Sequence, residues 1–531
     1  MKRRNFLQSV PITLGGMSLS AYANSPLLSD LACTLMDTDK VLVIIQLNGG
    51  NDGLNTVIPL DQYAVLSQPN IRQNILIPEN KVLKLPGTNN ALGFHPSLSG
   101  IHNLYKENKV AIVQNVGYPQ FSYSHFRAAD IWVSGADYNE VLNSGWAARY
   151  LASEFPNYPS GFPNMSFPDP LAVRVGGTIT LGLQNQGVSM GIAINNAKDP
   201  LNLSGNLFTD PPTPGCLGKE LSYTREVLRQ TDKFGDAVQA AGDKGRNLSS
   251  LYPVANTPGA ILGSQLALVA KLIDGGCKTR IYWLSTGGFD THSSQVESAD
   301  HTAGVHSGLL KGVSDAIAAF MDDLTLLGRA DRVIGMTFSE FGRRIISNAS
   351  GGTDHGAAQP VLIFGSNVIP GIYGHNPVID PLSNVNSNLP MEFDFRSVYA
   401  TILADWFCVG SADRDNILLN KYQNIGFLKP NNCLMTGVKS NQRYAGAKLI
   451  EAYPNPCADQ VRIAFESEGG MVIIELLNQE GRLVQTVFNG YLESGHFDIA
   501  CSMQKIPEGT YYLRIQNSVS EQVRKLIKAR L

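Results

Sequence analysis

The sequence predicts an α/β protein: a doubly wound, mostly parallel sheet followed by a small C-terminal all-β sandwich. Three observations carry this. Short runs of Val, Ile and Leu recur that read as strands buried on both faces. Segments with apolar residues at three- and four-residue spacing lie between them, and strands alternating with helices make a doubly wound sheet. Beyond residues 431–449 the helical pattern gives way to short strands and turns.

Taken in order, residues 40–47 form the first central strand and Val110 to Val113 the second. Ile281 to Leu284, Val333 to Phe338 and Val361 to Phe364 read the same way, and two-sided burial implies that they run parallel. Helices are expected over 258–275, with Leu262, Leu266, Val269 and Leu272 inward, over 304–327, with Leu310, Val313, Ile317, Phe320 and Leu324 inward, and from Phe395 toward Cys408. Residues 155–215, rich in Gly, Asn and Pro, read as an insertion of short strands and loops that suits a lid. After the linker, strands fall at 461–465, 472–477, 481–487 and 511–515, with a hairpin turn at Asn478 to Gly481.

The chain starts with Lys2-Arg3-Arg4-Asn5-Phe6-Leu7, a twin-arginine pattern, followed by a weakly apolar stretch and the small-residue cleavage pattern Ala21-Tyr22-Ala23. The organisation expected is a signal peptide over 1–23, an α/β domain over 38–430, a linker over 431–449 and a β-domain over 450–531. Export permits disulfides, and of the seven cysteines Cys408 with Cys433, or Cys457 with Cys501, are possible pairs. The net charge of −3 gives no footprint for nucleic acid, and no apolar run is long enough for a stable transmembrane segment.

Acidic residues sit just past three predicted strands: Asp52 in NGGND, Asp290 in GGFD and Glu340 in TFSE. Carboxyl ends of parallel strands face one crevice, where ligands bind. Histidines crowd the same segments, with His292 two residues beyond Asp290 and His355 beside Asp354 in GGTDHG. Carboxylates with imidazoles suit divalent metal ions, zinc first, with manganese or calcium as alternatives. The metal candidates are therefore Asp52, Asp290, His292, Glu340, Asp354 and His355. The plainer readings are a turn cap for Asp52 and an ion pair with Arg343 for Glu340. His306 reads as a core histidine at the crevice end of its helix, and His375 in YGHNP is a further candidate. Ser124 precedes a predicted helix, where free N–H groups favour anions, so it is a candidate nucleophile with Arg127 one turn on to hold a phosphoryl group. Serine is also a favoured N-cap, which alone would explain it.

LNGGNDGLN, GFHP, SYSHFRAADIW, GGFDTH, TFSEFGRR and GGTDHGAAQP occur in that order over about 38–430. Together they resemble the family called domain of unknown function 1501, which looks like a branch of the alkaline phosphatase and sulfatase superfamily. The resemblance implies an alkaline phosphatase-like α/β fold with two divalent ions at the strand ends and a nucleophile at a helix start. It matches Asp52 to the first-strand ligand, Ser124 to the nucleophile region, and Asp290 with His292 to a later ligand pair. The chain departs in separating that Asp and His by one residue where the superfamily usually has three. Either Glu340 or Asp354 then takes the place of a further Asp ligand. The last 80 or so residues, with Tyr453-Pro454-Asn455-Pro456, Gly509-Thr510-Tyr511-Tyr512 and a basic end, resemble a type IX secretion sorting domain. A carbohydrate-binding or Fn3-like module is the plainer alternative.

The function expected from these residues is a secreted, metal-dependent hydrolase of phosphate or sulfate esters acting on a small-molecule ester. The alternative is a non-catalytic surface or secreted binding protein on a decayed phosphatase-like fold. The resemblances imply the twin-arginine translocase and the type IX machinery as partners. Its path would run through the periplasm to the cell surface or beyond.

Overall fold

The computed structural model describes residues 39–429, apart from 157, 160, 161, 165, 166 and 197–214, and residues 447–529, apart from 480, 481, 505 and 517–520. The twin-arginine segment and residues 431–446 of the expected linker lie outside them, and Ala447 to Leu449 belong to a strand instead. The chain divides into two compact units between residues 431 and 432.

The first unit is built on one sheet of nine strands: β1 (Val41–Leu47), β2 (Val110–Gly117), β3 (Ala172–Val175), β4 (Ile192–Ile194), β5 (Ile281–Thr286), β6 (Val333–Phe338), β7 (Gln359–Gly365), β8 (Gly371–Tyr373) and β9 (Phe393–Asp394). Their order is β8-β2-β7-β6-β1-β5-β3-β4, with β9 also beside β2. β1 lies at the centre, parallel to β5 and β6. Its residues 41–45 are 0–1% exposed, which is why the run carries no polar alternation. One expectation fails: β7 is antiparallel to both β6 and β2. Two-sided burial demands an apolar strand whichever way it runs, so composition does not report direction. The segment read as a lid contributes β3 and β4, which extend the sheet in parallel.

Helices flank this sheet. Ala260–Asp274 and Val305–Leu326 pack on each other, turning the predicted Leu and Val rows inward. His125–Ser134 begins at the N-cap Ser124 and ends at Gly135, whose left-handed φ of 73° closes it. Trp132 from this helix stacks on Phe338 and Phe395, tying β6 to the helix that starts at Phe395. That helix is α-helical only to Thr401 and continues as a π-helical turn over Ile402–Trp406. Among the described residues no helix is long and apolar enough to cross a membrane.

In the second unit the named strands pair antiparallel. Its strands are β10 (Ala447–Tyr453), β11 (Gln460–Leu477), β12 (Leu483–Ser502), β13 (Gly509–Gln516) and β14 (Glu521–Lys528). Leu477 pairs with Leu483 across the hairpin, as the turn signal requires. Val461, Ile463, Phe465, Ile474, Leu513 and Ile515 form its own core. Cys457 and Cys501 are both free thiols buried there, so that suggested disulfide does not form. Cys408 is disulfide-bonded, and Cys433, the partner suggested for it, lies outside the described residues.

Candidate metal centre

Because β1, β5 and β6 run parallel, their carboxyl ends share one edge, and the loops after them meet there. Contact is close enough to require glycine. A Cβ on Gly49, whose φ is +123°, would lie 2.3 Å from the Asp290 backbone nitrogen. The next loop arrives as a small hairpin, Arg343–Ser347 with Thr353–His355, that places His355 opposite Arg343. It docks on the β5 loop: Thr353 N–H donates to Thr291 O at 3.0 Å and Asn348 Nδ2 to His292 O at 2.8 Å. A Cβ on Gly352 would meet the Thr291 carbonyl at 2.4 Å.

This docking gathers imidazoles around Asp290. His292 Nε2 is 3.1 Å and His355 Nε2 3.2 Å from Asp290 Oδ1, and the two Nε2 atoms are 2.9 Å apart. His125, the first residue of its helix, brings Nε2 to 3.5 Å from Asp290 Oδ2. His125, Asp290 and His355 each offer one ligand atom within 4.8 Å of the others. The remaining ring nitrogens are all held by oxygen: His125 Nδ1 by Glu340 at 2.7 Å, His292 Nδ1 by Asp354 at 3.1 Å, and His355 Nδ1 by the Tyr123 carbonyl at 2.8 Å. A carbonyl only accepts and a carboxylate accepts when ionised, so these partners assign the ring proton to Nδ1 in each neutral imidazole. Three Nε2 lone pairs then converge on a carboxylate. That donor set fits a cation: its atoms stand at ligand-to-ligand spacing for bonds of about 2.0–2.2 Å, and outer oxygens fix the rings as metal-bound histidines require.

Charge supports the same state. Burial alone would raise the Asp290 carboxyl, but the Arg343 bond and charge, with His355 and His292, hold it below its ordinary value. The Asp354 carboxyl is likewise lowered against burial, by Asn348 and His292. Burial lowers His355, assisted by Arg343, which keeps the imidazole neutral and able to coordinate.

Of the sequence candidates, Asp290, His292 and His355 supply the inner atoms. Glu340 and Asp354 bind the backs of histidines, and Glu340 Oε1 also accepts from Gly49 N at 2.8 Å. Asp52 is not brought to the cluster. It is 1% exposed and takes Arg72 Nη1 at 3.2 Å on both oxygens and Gln295 Nε2 at 2.6 Å on Oδ2. Ser124 is exposed and caps its helix through a long 3.5 Å bond from Arg127 N. The Arg127 guanidinium turns away to the carbonyls of Asp137, Tyr138 and Glu140, so it does not stand over Ser124. His306 is a core histidine, donating Nε2–H to Asn51 Oδ1 at 2.9 Å, and His375 pairs with Glu392 apart from the cluster. The plainer reading of Glu340, an ion pair with Arg343, does not hold: Arg343 pairs with Asp290 at 2.6 Å. Sequence reading missed His125; its place directly after Ser124 in SYSHF was the available signal. It also missed Arg72 and Gln295, which no spacing connects to Asp52.

The fold and this histidine–carboxylate cluster define an α/β protein with a candidate divalent-metal centre at its strand ends. Residues 224–411 match the model of a family described as a protein of unknown function, DUF1501. Residues 451–529 match a secretion system C-terminal sorting domain. Both were recognised from the motifs. No curated protein matches. Among solved structures, the chain is similar to a sulfatase from a Bacteroides thetaiotaomicron glycosaminoglycan locus, at 8% identity over 84% of this chain and 89% of that one, TM-score 0.36. It is similar to a sulfatase from a Pseudoalteromonas species, at 9% over 90% and 88%, TM-score 0.33. For the alkaline phosphatase of the Antarctic bacterium TAB5 the values are 10%, 63%, 94% and 0.25.

Proposed function

We propose that this chain is an exported, metal-dependent hydrolase of phosphate or sulfate esters. The observation that carries the reading is the convergence of the His125, His292 and His355 Nε2 atoms on Asp290, with every Nδ1 held by oxygen. Nitrogen-rich donors of this kind suit zinc more than calcium or magnesium, which prefer all-oxygen shells. When bound, such an ion polarises an ester oxygen and stabilises the charge that develops on it.

The chain's own residues supply the rest. Asp290 anchors the ion, Arg343 holds Asp290, and Glu340 and Asp354 fix the tilt of His125 and His292. Ser124 is the candidate nucleophile, supported by its exposure and its position one residue before His125. Its Oγ attacks phosphorus or sulfur, the ester oxygen leaves as the alcohol, and water then hydrolyses the seryl ester to restore the hydroxyl. The sorting domain directs the protein to the type IX machinery and the cell surface or medium, after the twin-arginine route across the inner membrane.

Zinc-loaded protein should turn over at least one member of a panel of aryl phosphate monoesters, phosphodiesters and sulfate esters. Chelator should stop that turnover, and Ser124→Ala and Asp290→Ala should abolish it. No turnover across the panel by protein that holds zinc would reject the enzyme reading. It would favour the alternative, a non-catalytic binding protein, to which the sealing of Asp52 by Arg72 already lends support.

A further inference from the structure

We propose that the centre takes one divalent ion, and that two buried guanidinium groups do the electrostatic work a second ion would otherwise do. This rests on the metal-centre reading above and goes beyond it, since strand-end carboxylates by themselves allow two ions. β1 and β5 are adjacent and in register, Leu47 with Thr286, so Asp52 and Asp290 emerge from neighbouring strand ends together with Glu340 from β6. Carboxylates gathered this closely repel unless cations separate them.

Each aspartate already has a tethered cation. At Asp52 it is Arg72, fully buried, with Nε on the Ile345 carbonyl, Nη2 on the Arg344 carbonyl and Nη1 shared between Asp52 and Asn55 Oδ1. The second face of the carboxylate is closed by Gln295, whose own Oε1 accepts from the Thr291 and Thr353 hydroxyls. An ion reaching Asp52 would have to displace a guanidinium that has no water to move into. At Asp290 the cation is Arg343, also fully buried, whose remaining N–H groups go to the carbonyls of Gly49, Gly50, Phe289 and Thr353. Four carbonyls and a carboxylate fix that guanidinium in place. It occupies the space between the β1 and β5 loops where a bridging ion would need its ligands.

What remains open is the side of Asp290 that faces the histidines, where the side chain is 46% exposed. There His125, Asp290 and His355 form one group of ligand atoms, and His292 Nε2 stands beside it, 3.1 Å from Asp290 Oδ1 and 2.9 Å from His355 Nε2. Asp52 is thus a structural charge, and Asp290 alone among the strand-end aspartates is a ligand.

The test is metal stoichiometry and affinity of the full chain, independent of activity. After loading with excess zinc and desalting, mass spectrometry should find one ion per chain. Asp52→Asn should keep that ion with affinity changed by no more than about threefold, whereas Asp290→Asn should weaken it by roughly 100-fold or more, losing an inner ligand and not merely an outer one. Should Asp52→Asn fail to fold, the spin-resonance spectrum of the cobalt-loaded natural chain decides, because ions about 3.5–4 Å apart are magnetically coupled and a lone ion is not. Two ions per chain, a coupled spectrum, or loss of the ion from folded Asp52→Asn would overturn the proposal while leaving the metal-centre reading intact. Binding of no ion by the natural chain would overturn both.

Discussion

Asp52 and Asp290 follow neighbouring strands, each in a Gly-rich loop, and in sequence they look equivalent. In the folded chain they differ in nearly every respect. Asp52 is sealed: burial, which alone would raise its carboxyl, is outweighed by Arg72, His306 and Gln295, and it stays ionised as half of an internal ion pair. Asp290 has Arg343 behind it and solvent with three imidazoles in front. The lesson is that a strand-end carboxylate becomes a ligand only where the surrounding chain leaves an oxygen open. The same side chain given a guanidinium and a fixed amide becomes architecture.

The largest effect should come from breaking the sealed pair. Arg72→Met leaves an uncompensated buried carboxylate, and chemical denaturation should report a loss of about 3–5 kcal/mol. The corresponding Asp290→Ala change in the open site should move stability of the metal-free chain by less, since the buried Arg343 keeps four backbone carbonyls as acceptors and the gap left by the half-exposed carboxylate opens to water. Equal losses would erase the contrast.

Next is pH. His306, buried beside Asp52, has its pKa lowered from 6.5 to about 4, by burial first and then by Arg343 and Arg72, with Asp52 opposing. His95 nearby is lowered to about 3 by burial and by His306. The unfolded chain therefore takes up protons before the folded one does. Stability should be flat above the ordinary histidine value and should fall as pH drops from there toward 4, by on the order of 3 kcal/mol for His306. The Asp52 pair adds its own loss only lower, as pH falls through the carboxylate range. Denaturation midpoints of the natural chain and His306→Gln across that window check this. A variant with the same slope as the natural chain would remove His306 as the cause.

In the open site, the outer carboxylates set a finer scale. Glu340→Gln keeps the inner donors but loosens the His125 ring, and zinc affinity by calorimetry should fall roughly 10–100-fold. Asp354→Asn should act similarly through His292. If Glu340→Gln instead abolished binding while Asp354→Asn did nothing, Glu340 would be an inner ligand and the arrangement around His125 would need redrawing.

The smallest stability effect belongs to Ser124→Ala. Its capping bond is long, so the cost should be at or below about 1 kcal/mol. A loss of ester turnover far beyond that cost would separate a nucleophile from a cap, which sequence alone left undivided.

By itself the sequence determined the runs that had to be buried, the helices whose inward rows follow a helical period, the edge at which Asp52, Asp290 and Glu340 emerge, and the change to an all-β unit. Those are local properties: a strand's burial is written in consecutive residues and a helix's face in its spacing. Only the tertiary structure decided the reversal of β7, the pairing of Asp52 with Arg72, the promotion of His125, and the outer places of Glu340 and Asp354. His125 and Glu340 are 215 residues apart, and Gln295 reaches Asp52 across 243. Which oxygen is covered and which is open depends on contacts of that range, and no local pattern encodes them.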